Sequence, residues 1–258
     1  MNRMKDRIIV ITGASAGIGQ ACAERFAAAG ARLVLAARRA DRLEAMETGL
    51  RDAGAASVDA YPLDVRDADA VAAFGDALAA RGLVPDVLVN NAGLAAGLDK
   101  LHEGAVDDWD RMIDTNVRGL LLVSRRLIPA MLAAGRGHVI NIGSIAGRQV
   151  YPNGNVYNAT KFAVRALTEG MNMDLYGTPL RVSSVSPGLV ETEFSLVRFH
   201  GDAERAAKVY ADVQSLTPAD IADAVFYVAN APEHVNVLDM IVLPTAQRSA
   251  TLLHRTAP

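Results

Sequence analysis

Residues 8–19 of the chain read IIVITGASAGIG. The apolar run Ile8–Ile11 is typical of a central parallel strand that is buried on both faces. Gly13 allows a tight turn directly after this strand, and the missing side chains at Gly17 and Gly19 permit close approach to a ligand. A helix that begins there would offer free N–H groups and the positive end of its dipole to a phosphate. The stretch therefore predicts a strand, a phosphate-binding loop and a helix in succession.

The spacing of these glycines is G-x-x-x-G-x-G rather than the commoner G-x-G-x-x-G of dinucleotide-binding loops. By itself the trio is therefore also consistent with an ordinary strand-to-helix turn. The strand before it and the helix after it are the context that a nucleotide loop requires. We therefore interpret residues 12–19 as a loop that binds a dinucleotide.

Short β-branched or aliphatic runs alternate with longer alanine-rich segments along the whole chain. The predicted strands are Arg7–Thr12, Arg32–Ala37, Ser57–Pro62, Asp86–Asn90, His138–Gly143, Arg181–Ser186 and Val237–Leu243. The predicted helices are Gly17–Ala29, Asp41–Ala53, Asp67–Arg81, Asp107–Ala134, Val156–Tyr176 and Pro218–Ala229. This alternation predicts a single α/β domain over residues 1–258, a Rossmann-like, doubly wound parallel sheet of about seven strands with helices on both faces. Residues 189–210 lack clear periodicity and are interpreted as a substrate loop or lid.

Composition limits the class of partner. Charged residues make up 21% of the chain and the formal net charge is −3, which gives no basic footprint for nucleic acid or an anionic membrane. Cys22 is the only cysteine and the five histidines show no ligand spacing, so we expect neither an intrachain disulfide nor a metal site. No stretch approaches the ~20 apolar residues of a membrane helix, and Ile8–Ile11 is too short for a signal peptide core. We expect a soluble, cytoplasmic protein with a small-molecule substrate.

The end of the second predicted strand distinguishes NAD from NADP. It reads Leu35-Ala36-Ala37-Arg38-Arg39, with no acidic residue before Asp41. An acidic side chain here binds the ribose 2′-hydroxyl of NAD, whereas an arginine accommodates the 2′-phosphate of NADP. Arg38 can offer that phosphate a planar, bidentate partner, so the sequence favours NADP(H). The alternative is that Arg38 and Arg39 only cap the strand on a solvated surface.

Tyr157 and Lys161 stand four residues apart in a predicted helix, so both side chains lie on one face. Free tyrosine has a pKa of about 10, too high for ready proton exchange at neutral pH, and a nearby positive charge lowers it. Ser144 directly follows the predicted strand His138–Gly143, at the edge where open α/β sheets bind ligands. Tyrosine and lysine at this spacing also occur on many solvated helices, and serine is a common N-cap residue.

With these residues the chain resembles the short-chain dehydrogenase/reductase family. The motifs that carry the resemblance occur in order along nearly the whole chain: Thr12–Gly19, Asp64-Val65, Asn90–Gly93, Asn116, Ser144, Tyr157-x-x-x-Lys161 and Pro187–Thr192. Within the family the chain is similar to the NADP-dependent 3-hydroxy acid dehydrogenases, which include serine and allo-threonine dehydrogenases. The stretches that carry this second similarity are Asn91–Ala95, Met112–Asn116, Gly154–Tyr157 and Thr192–Asp202.

The resemblance implies a role for each matching residue. Tyr157 would be the general acid/base, Lys161 would lower its pKa and bind the nicotinamide ribose, and Ser144 would hold the substrate oxygen. Asn116 would perturb its helix and hold a water that relays protons to the lysine. The residues expected to bind NADP(H) are Gly13, Ser15, Gly17, Ile18, Gly19, Arg38, Arg39, Asp64, Val65, Asn91, Ala92, Gly93, Tyr157, Lys161, Pro187, Gly188, Val190 and Thr192.

The expected substrate is a 3-hydroxy acid of the serine, allo-threonine or 3-hydroxyisobutyrate type. Its carboxylate needs a cation or N–H donors, and Arg148, Arg198 and His200 are the candidates near the active-site loops. An NADPH-dependent ketone or aldehyde reductase of secondary metabolism and a non-catalytic NADP-binding regulatory protein are the alternatives. Because members of the family are commonly tetramers, the resemblance also implies a homo-oligomer, a tetramer or a dimer.

Overall fold

A computed structural model describes residues 2–256, so residues 1, 257 and 258 of the predicted domain lie outside the described residues. The strands are β1 (Ile8–Thr12), β2 (Arg32–Ala37), β3 (Ser57–Pro62), β4 (Val87–Asn90), β5 (His138–Ile142), β6 (Arg181–Pro187) and β7 (Asp239–Val242). The α-helices are α1 (Gly17–Ala27), α2 (Ala40–Asp52), α3 (Ala68–Ala80), α4 (Val106–Ile113), α5 (Leu120–Ala133), α6 (Asn155–Asp174), α7 (Phe194–Arg198), α8 (Ala203–Tyr210) and α9 (Pro218–Ala229). The predicted strands are confirmed, with ends that differ by at most two residues.

The strands form one parallel sheet in the order β3-β2-β1-β4-β5-β6-β7. The chain builds outward from β1 to β3, and β4 then returns to the other side of β1. The predicted Rossmann-like, doubly wound parallel sheet is therefore confirmed. In open sheets of this kind a crevice forms at the carboxyl ends of the strands where the winding reverses, here between β1 and β4.

Both faces of the sheet are buried. Ile9 and Ile11 of β1 share a core with Phe26 of α1 and with side chains of α2 and α9. Ile8 and Val10 belong to the opposite core, which α3 and α5 complete. Alternate residues of one strand point to opposite faces, so an uninterrupted apolar strand is buried by a helical layer on each side.

The predicted helix Asp107–Ala134 is wrong as a single element. The structure divides it into α4, a π-helical turn at Asp114–Gly119 and α5. We attribute the turn to Asn116, whose Oδ1 accepts from the N–H of Leu94 and whose Nδ2 donates to the Leu94 carbonyl, both at 2.8 Å. A π-helical turn accommodates an extra residue, so the polar side chain can turn inward without ending the helix.

The segment 189–210 is not irregular, in contrast to the prediction. It contains α7 and α8, which are five and eight residues long. The Thr192 hydroxyl accepts from the N–H of Phe194 at the start of α7, and the Asp202 side chain caps α8. Helices this short contain too few turns to show a periodic pattern in the sequence.

None of the helices within residues 2–256 is both long and apolar enough to cross a membrane. The same residues contain no group of three or more His, Cys, Asp or Glu side chains that could hold a metal ion.

Candidate active site

A cavity of about 530 Å³ opens at the carboxyl ends of the strands. The predicted cofactor residues that line it are Gly13, Ser15, Gly17, Ile18, Arg38, Arg39, Asp64, Val65, Asn91, Ala92, Gly93, Tyr157, Lys161, Pro187, Gly188, Val190 and Thr192. Of the predicted substrate residues, Ser144 and Arg198 line the cavity. Gly19, Asn116, Arg148 and His200 do not.

The phosphate loop has the backbone that its glycines predict. Gly13 and Gly17 have φ angles of +65° and +54°, which glycine adopts without strain. Because α1 begins at Gly17, its unpaired N–H groups lie at the loop. A Cβ on Gly19 would lie 2.4 Å from the Gly13 carbonyl oxygen, so Gly19 packs behind the loop rather than lining the cavity. A helix N-terminus beside a backbone free of side chains fits the diphosphate of a dinucleotide.

Asn91 and Thr12 hold this loop in place. The Nδ2 of Asn91 donates to the carbonyl oxygens of Thr12 and Gly13, at 2.9 and 3.1 Å. The Thr12 hydroxyl accepts from the N–H groups of Asn91 and Ala92, both at 3.1 Å. The side-chain amide of Asn91 therefore holds the backbone of the phosphate loop in place, and Asn91 also lines the cavity.

Arginines surround the part of the cavity beside β2. Arg38 is exposed there, and the Nε of Arg39 donates to the Ser15 hydroxyl at 3.2 Å. Glu193, just before α7, accepts from Arg42 and Arg39 at 2.8 and 2.9 Å. These hydrogen bonds hold the pKa of the Glu193 carboxyl below its usual range. A rim of this kind fits a ribose 2′-phosphate, whose charge Arg38, Arg39 and the Ser15 hydroxyl can bind.

Asp64 lines the same part of the cavity but is already paired. Its carboxylate accepts from the Nε and Nη2 of Arg66, at 3.0 and 2.6 Å. The hydrogen bonds from Arg66 lower the pKa of Asp64. A contact between Asp64 and a cofactor therefore has to be made beside this ion pair.

Ser144, Tyr157 and Lys161 line the cavity together. Ser144 follows β5, while Tyr157 and Lys161 lie on one face of α6. The Ser144 hydroxyl accepts from the Ala146 N–H at 3.1 Å, so Ser144 also acts as the N-cap residue of the short helical turn that follows it. The same hydroxyl donates to the Pro187 carbonyl at 3.4 Å, and it acts to lower the pKa of Tyr157. The cap thus holds the serine hydroxyl beside the tyrosine.

Burial dominates the acidity of Tyr157 in this structure. It raises the pKa of Tyr157 above the ordinary value, while Arg198 and Ser144 act to lower it. Burial also lowers the pKa of Lys161 to about 8. The Lys161 Nζ lies 5.9 Å from the centroid of the Tyr157 ring and donates to the Ile142 carbonyl at 2.9 Å. In the chain alone, Arg198 is a positive charge that acts to lower the pKa of Tyr157. The lowering of this pKa by Lys161, which the resemblance implies, stays a prediction.

Asn116 supports the site from behind the cavity. Its Nδ2 donates to the Thr160 hydroxyl at 3.0 Å, and that hydroxyl donates to the Tyr157 carbonyl at 2.8 Å. A Cβ on Gly93 would lie 3.2 Å from the Asn116 Oδ1 and 3.8 Å from the Lys161 Nζ. The amide thus connects the π-helical turn to α6 directly beneath Tyr157.

The structure separates the three residues that were candidates for binding a carboxylate. Arg198 is in the cavity lining, whereas Arg148 forms an ion pair with Asp239 of β7 and His200 pairs with Asp108 at 2.9 Å. Arg148 and His200 are therefore engaged by acids of the chain, away from the cavity. The sequence could not show this, because both pairs join distant parts of the chain.

Aromatic residues that the sequence interpretation missed complete the cavity. They are Tyr151, Phe194 and Tyr210. The Phe194 ring meets the Tyr157 ring edge to face at 5.5 Å, and the Tyr210 hydroxyl lies 2.7 Å from the Ser195 hydroxyl, joining α8 to α7. The available signal was the aromatic content of residues 189–210 and the position of Tyr151 shortly before Tyr157.

Comparison with known proteins gives consistent matches over nearly the whole chain. The family model described as short chain dehydrogenase matches residues 7–203. The NADP-dependent 3-hydroxy acid dehydrogenase YdfG of Salmonella typhi is 45% identical over 251 residues, covering 96% of this chain and 100% of that protein. The protein of the same name from Escherichia coli (strain K12) is 42% identical over 250 residues, covering 96% and 99%. A solved structure of the closed form of serine dehydrogenase complexed with NADP+ has a TM-score of 0.90 and 42% identity, covering 96% of this chain and 100% of that one.

Proposed function

The chain belongs to the short-chain dehydrogenase/reductase family, and we propose that it is an NADP(H)-dependent oxidoreductase acting on a 3-hydroxy acid of the serine, allo-threonine or 3-hydroxyisobutyrate type. The observation that carries the proposal is the convergence of Ser144, Tyr157 and Lys161 on a cavity that includes a phosphate loop. Relatives that match nearly the whole chain and are named as NADP-dependent 3-hydroxy acid dehydrogenases support the cofactor and the substrate class.

When bound, the nicotinamide cofactor supplies or takes up the hydride. Tyr157 donates its proton to the substrate carbonyl oxygen in reduction and accepts it from the hydroxyl in oxidation. Ser144 donates a hydrogen bond to the same oxygen, and this bond strengthens as negative charge develops there. Lys161, which is charged below a pH of about 8, binds the nicotinamide ribose. Asn116 holds α6 in position and holds a water that relays protons to the lysine.

The other cofactor-binding roles fall to the phosphate loop and its surroundings. The lining residues named above bind the cofactor, with Gly19 shaping the loop from behind. Arg38, Arg39 and Ser15 select NADP(H) over NAD(H) through the 2′-phosphate. Among residues 2–256, the end of β2 offers no carboxylate that would bind a 2′-hydroxyl instead.

A steady-state screen of 3-hydroxy acids and carbonyl compounds, with NADP(H) and NAD(H) in parallel, tests the proposal. We expect turnover of 3-hydroxy acids with NADP+, and a loss of about 1000-fold in kcat for Tyr157→Phe because the group that transfers the proton is removed. Tyr176→Phe is the matched control, since Tyr176 is 92% exposed just beyond the end of α6.

Two results would favour the alternatives. Turnover of bulky neutral ketones without turnover of 3-hydroxy acids would indicate a ketone or aldehyde reductase. Unchanged NADPH oxidation in Tyr157→Phe would contradict the assigned chemistry. NADPH binding without turnover of any substrate by the wild type would favour a non-catalytic NADP-binding protein.

We further propose that residues 1–258 work as one domain in the cytoplasm, with residues 189–210 as a lid over the substrate. Phe194, Arg198 and Tyr210 of that segment line the cavity, which supports the lid. Cys22 is buried as a free thiol, which suits a reducing compartment.

A homo-oligomer, a tetramer or a dimer, is proposed through α5 and α6. Within the run Leu120–Val123, Leu120 and Val123 are buried in the core, but Leu121 is 41% exposed. Phe162 of α6 is 38% exposed. Light scattering on Leu121→Glu tests this assembly. If α5 forms the interface, the charged variant should have a smaller molecular mass in solution than the wild type.

A further inference from the structure

The guanidinium of Arg198 lies beside Tyr157 without an acidic partner. Its Cζ is 5.0 Å from the centroid of the Tyr157 ring. Within residues 2–256 it forms no ion pair with a carboxylate, and its Nε is buried without an acceptor. A partly buried cation with an unpaired N–H is unfavourable unless an anion compensates it. The position is therefore suited to an anion that comes from outside the chain.

Tyr151 fixes the position of this guanidinium. The Nη2 of Arg198 donates to the Tyr151 hydroxyl at 2.5 Å. The Tyr151 ring is itself held, because it occupies the space above Gly154, where a Cβ would lie 2.2 Å from its Cε2. The Tyr151 carbonyl accepts from the Nδ2 of Asn158 on α6 at 3.1 Å. The arginine is thereby connected to the helix that carries Tyr157.

Aromatic rings surround the guanidinium. Its Cζ lies 5.0 Å from the ring centroid of Tyr157, 5.2 Å from that of Phe194 and 5.7 Å from that of Tyr151. A guanidinium is attracted to ring faces and keeps its N–H groups directed along its edge, where a carboxylate binds in a bidentate manner. The rings therefore hold the cation, and its Nη1, which has no hydrogen-bond partner within residues 2–256 and is not among the buried unpaired atoms, is left for a ligand.

The other cations of the cavity are less suited to this task. Lys161 donates to a main-chain carbonyl, and Arg39 pairs with Glu193. Arg38 lies beside the end of β2, where the 2′-phosphate is expected. Of these cavity cations, Arg198 is thus the guanidinium that lies against the ring of Tyr157 and has no acidic partner within residues 2–256.

We propose that Arg198, positioned by Tyr151, binds the carboxylate of the substrate while Ser144 and Tyr157 hold its reacting oxygen. This inference rests on the proposed function and specifies how a 3-hydroxy acid is distinguished from a neutral alcohol. One methylene or methine carbon separates the carboxylate from the reacting carbon in a 3-hydroxy acid. The two groups therefore require binding partners as close together as Arg198 and Tyr157. Tyr151 is a positioning residue, because it acts through the arginine.

Kinetics with two substrates that differ only in the charged group test this inference. 3-Hydroxyisobutyrate carries the carboxylate, and 2-methyl-1,3-propanediol has an uncharged hydroxymethyl group in its place. In Arg198→Met we expect the ratio of kcat/KM for the acid to kcat/KM for the diol to fall about 100-fold, because a charged hydrogen-bonding partner is lost. The ratio cancels any effect of Arg198 on the acidity of Tyr157 that is common to both substrates, since both use that tyrosine.

Tyr151→Phe keeps the ring and removes the hydroxyl that holds the guanidinium. We expect the KM for 3-hydroxyisobutyrate to rise about tenfold while kcat stays unchanged, because a single hydrogen bond to a charged group is lost. Arg205→Met is the matched control, since Arg205 of α8 is exposed and stacks on Phe199 at 4.2 Å outside the cavity lining. It should match the wild type on both substrates.

Inhibition by isobutyrate, an unreactive carboxylate, gives a second measurement with the diol as substrate. Its inhibition constant should rise about 100-fold in Arg198→Met. Equal losses on the acid and the diol, or an unchanged inhibition constant, would overturn the inference and leave the proposed function intact. A wild-type enzyme that turns over neither substrate with NADP(H), or only the diol, would instead contradict the proposed function and this inference together.

Discussion

Lys161 carries a charge that burial makes unfavourable, and removing that charge should stabilise the fold. The residue is 8% exposed, and burial lowers its pKa from 10.5 to about 8. At about 1.36 kcal/mol per pKa unit, this drop opposes folding by about 3 kcal/mol at neutral pH. Losing the hydrogen bond from Nζ to the Ile142 carbonyl reduces the expected gain in stability by about 1 kcal/mol. We therefore expect Lys161→Met to raise the free energy of unfolding by about 2 kcal/mol in cofactor-free protein.

The same pKa shift predicts how this gain depends on pH. The pKa of Lys161 is lower in the folded than in the unfolded protein, so the unfolded state binds more protons between pH 8 and 10.5. The contribution of Lys161 to the wild-type free energy of unfolding therefore rises with pH across that window. The advantage of Lys161→Met should be complete below about pH 8 and should shrink toward pH 10.5.

Denaturant unfolding at neutral pH and at about pH 9.5, followed by tryptophan fluorescence, measures both effects. Lys208→Met is the matched control, because the Lys208 side chain is 72% exposed and pairs only with Glu204 among the described residues. This control should leave both free energies unchanged. A Lys161→Met protein that is less stable than the wild type at neutral pH, or whose advantage persists unchanged at high pH, would refute the reasoning.

Two further substitutions test the cofactor side of the cavity. Gly19→Ala should destabilise the protein by about 1–3 kcal/mol in thermal melts and weaken NADP+ binding, because its Cβ would lie 2.4 Å from the Gly13 carbonyl oxygen. Gly49→Ala on α2 is the control, because a Cβ there would have no atom within 4 Å. This variant should be about 0.5–1 kcal/mol more stable than the wild type. Similar stability of the two variants would contradict this account. Glu193→Gln should tighten NADP+ binding about two- to fivefold in calorimetric titrations at low salt, because the carboxylate no longer competes for Arg39; equal or weaker binding would contradict that competition.

The sheet and its loop were predictable because their determinants are local. Ile8–Ile11 shows in four consecutive residues that both faces are covered, and Gly13 and Gly17 adopt the positive φ angles that a turn into α1 requires. The π-helical turn at Asn116, in contrast, depends on contacts that are distant in the sequence. The bonds of Asn116 go to Leu94, 22 residues earlier, and to Thr160, 44 residues later, so no periodicity of its own segment could reveal the π-helical turn.

The sequence indicated which residues could bind the substrate carboxylate, but it could not distinguish among them. Arg148, Arg198 and His200 are equivalent in sequence, because each is a nitrogen donor near a loop of the site. Long-range pairing separates them, since Asp239 and Asp108 engage Arg148 and His200 and leave Arg198 beside Tyr157. An acid brought close by the fold has no signature in the sequence around the cation that it pairs with.

Tyr157 lies near two cations, and they act on it at different stages of the proposed reaction. In the chain alone, Arg198 acts to lower the pKa of Tyr157, and burial acts more strongly to raise it. A carboxylate bound to Arg198 makes that pair nearly neutral, so the effect of the arginine on the tyrosine is largely cancelled. Burial then keeps the proton on Tyr157, which is the form that reduction of a carbonyl requires. Binding of an acidic substrate therefore strengthens the hold of Tyr157 on its proton, whereas a neutral alcohol or ketone at the same position leaves the opposing effect of Arg198 in place.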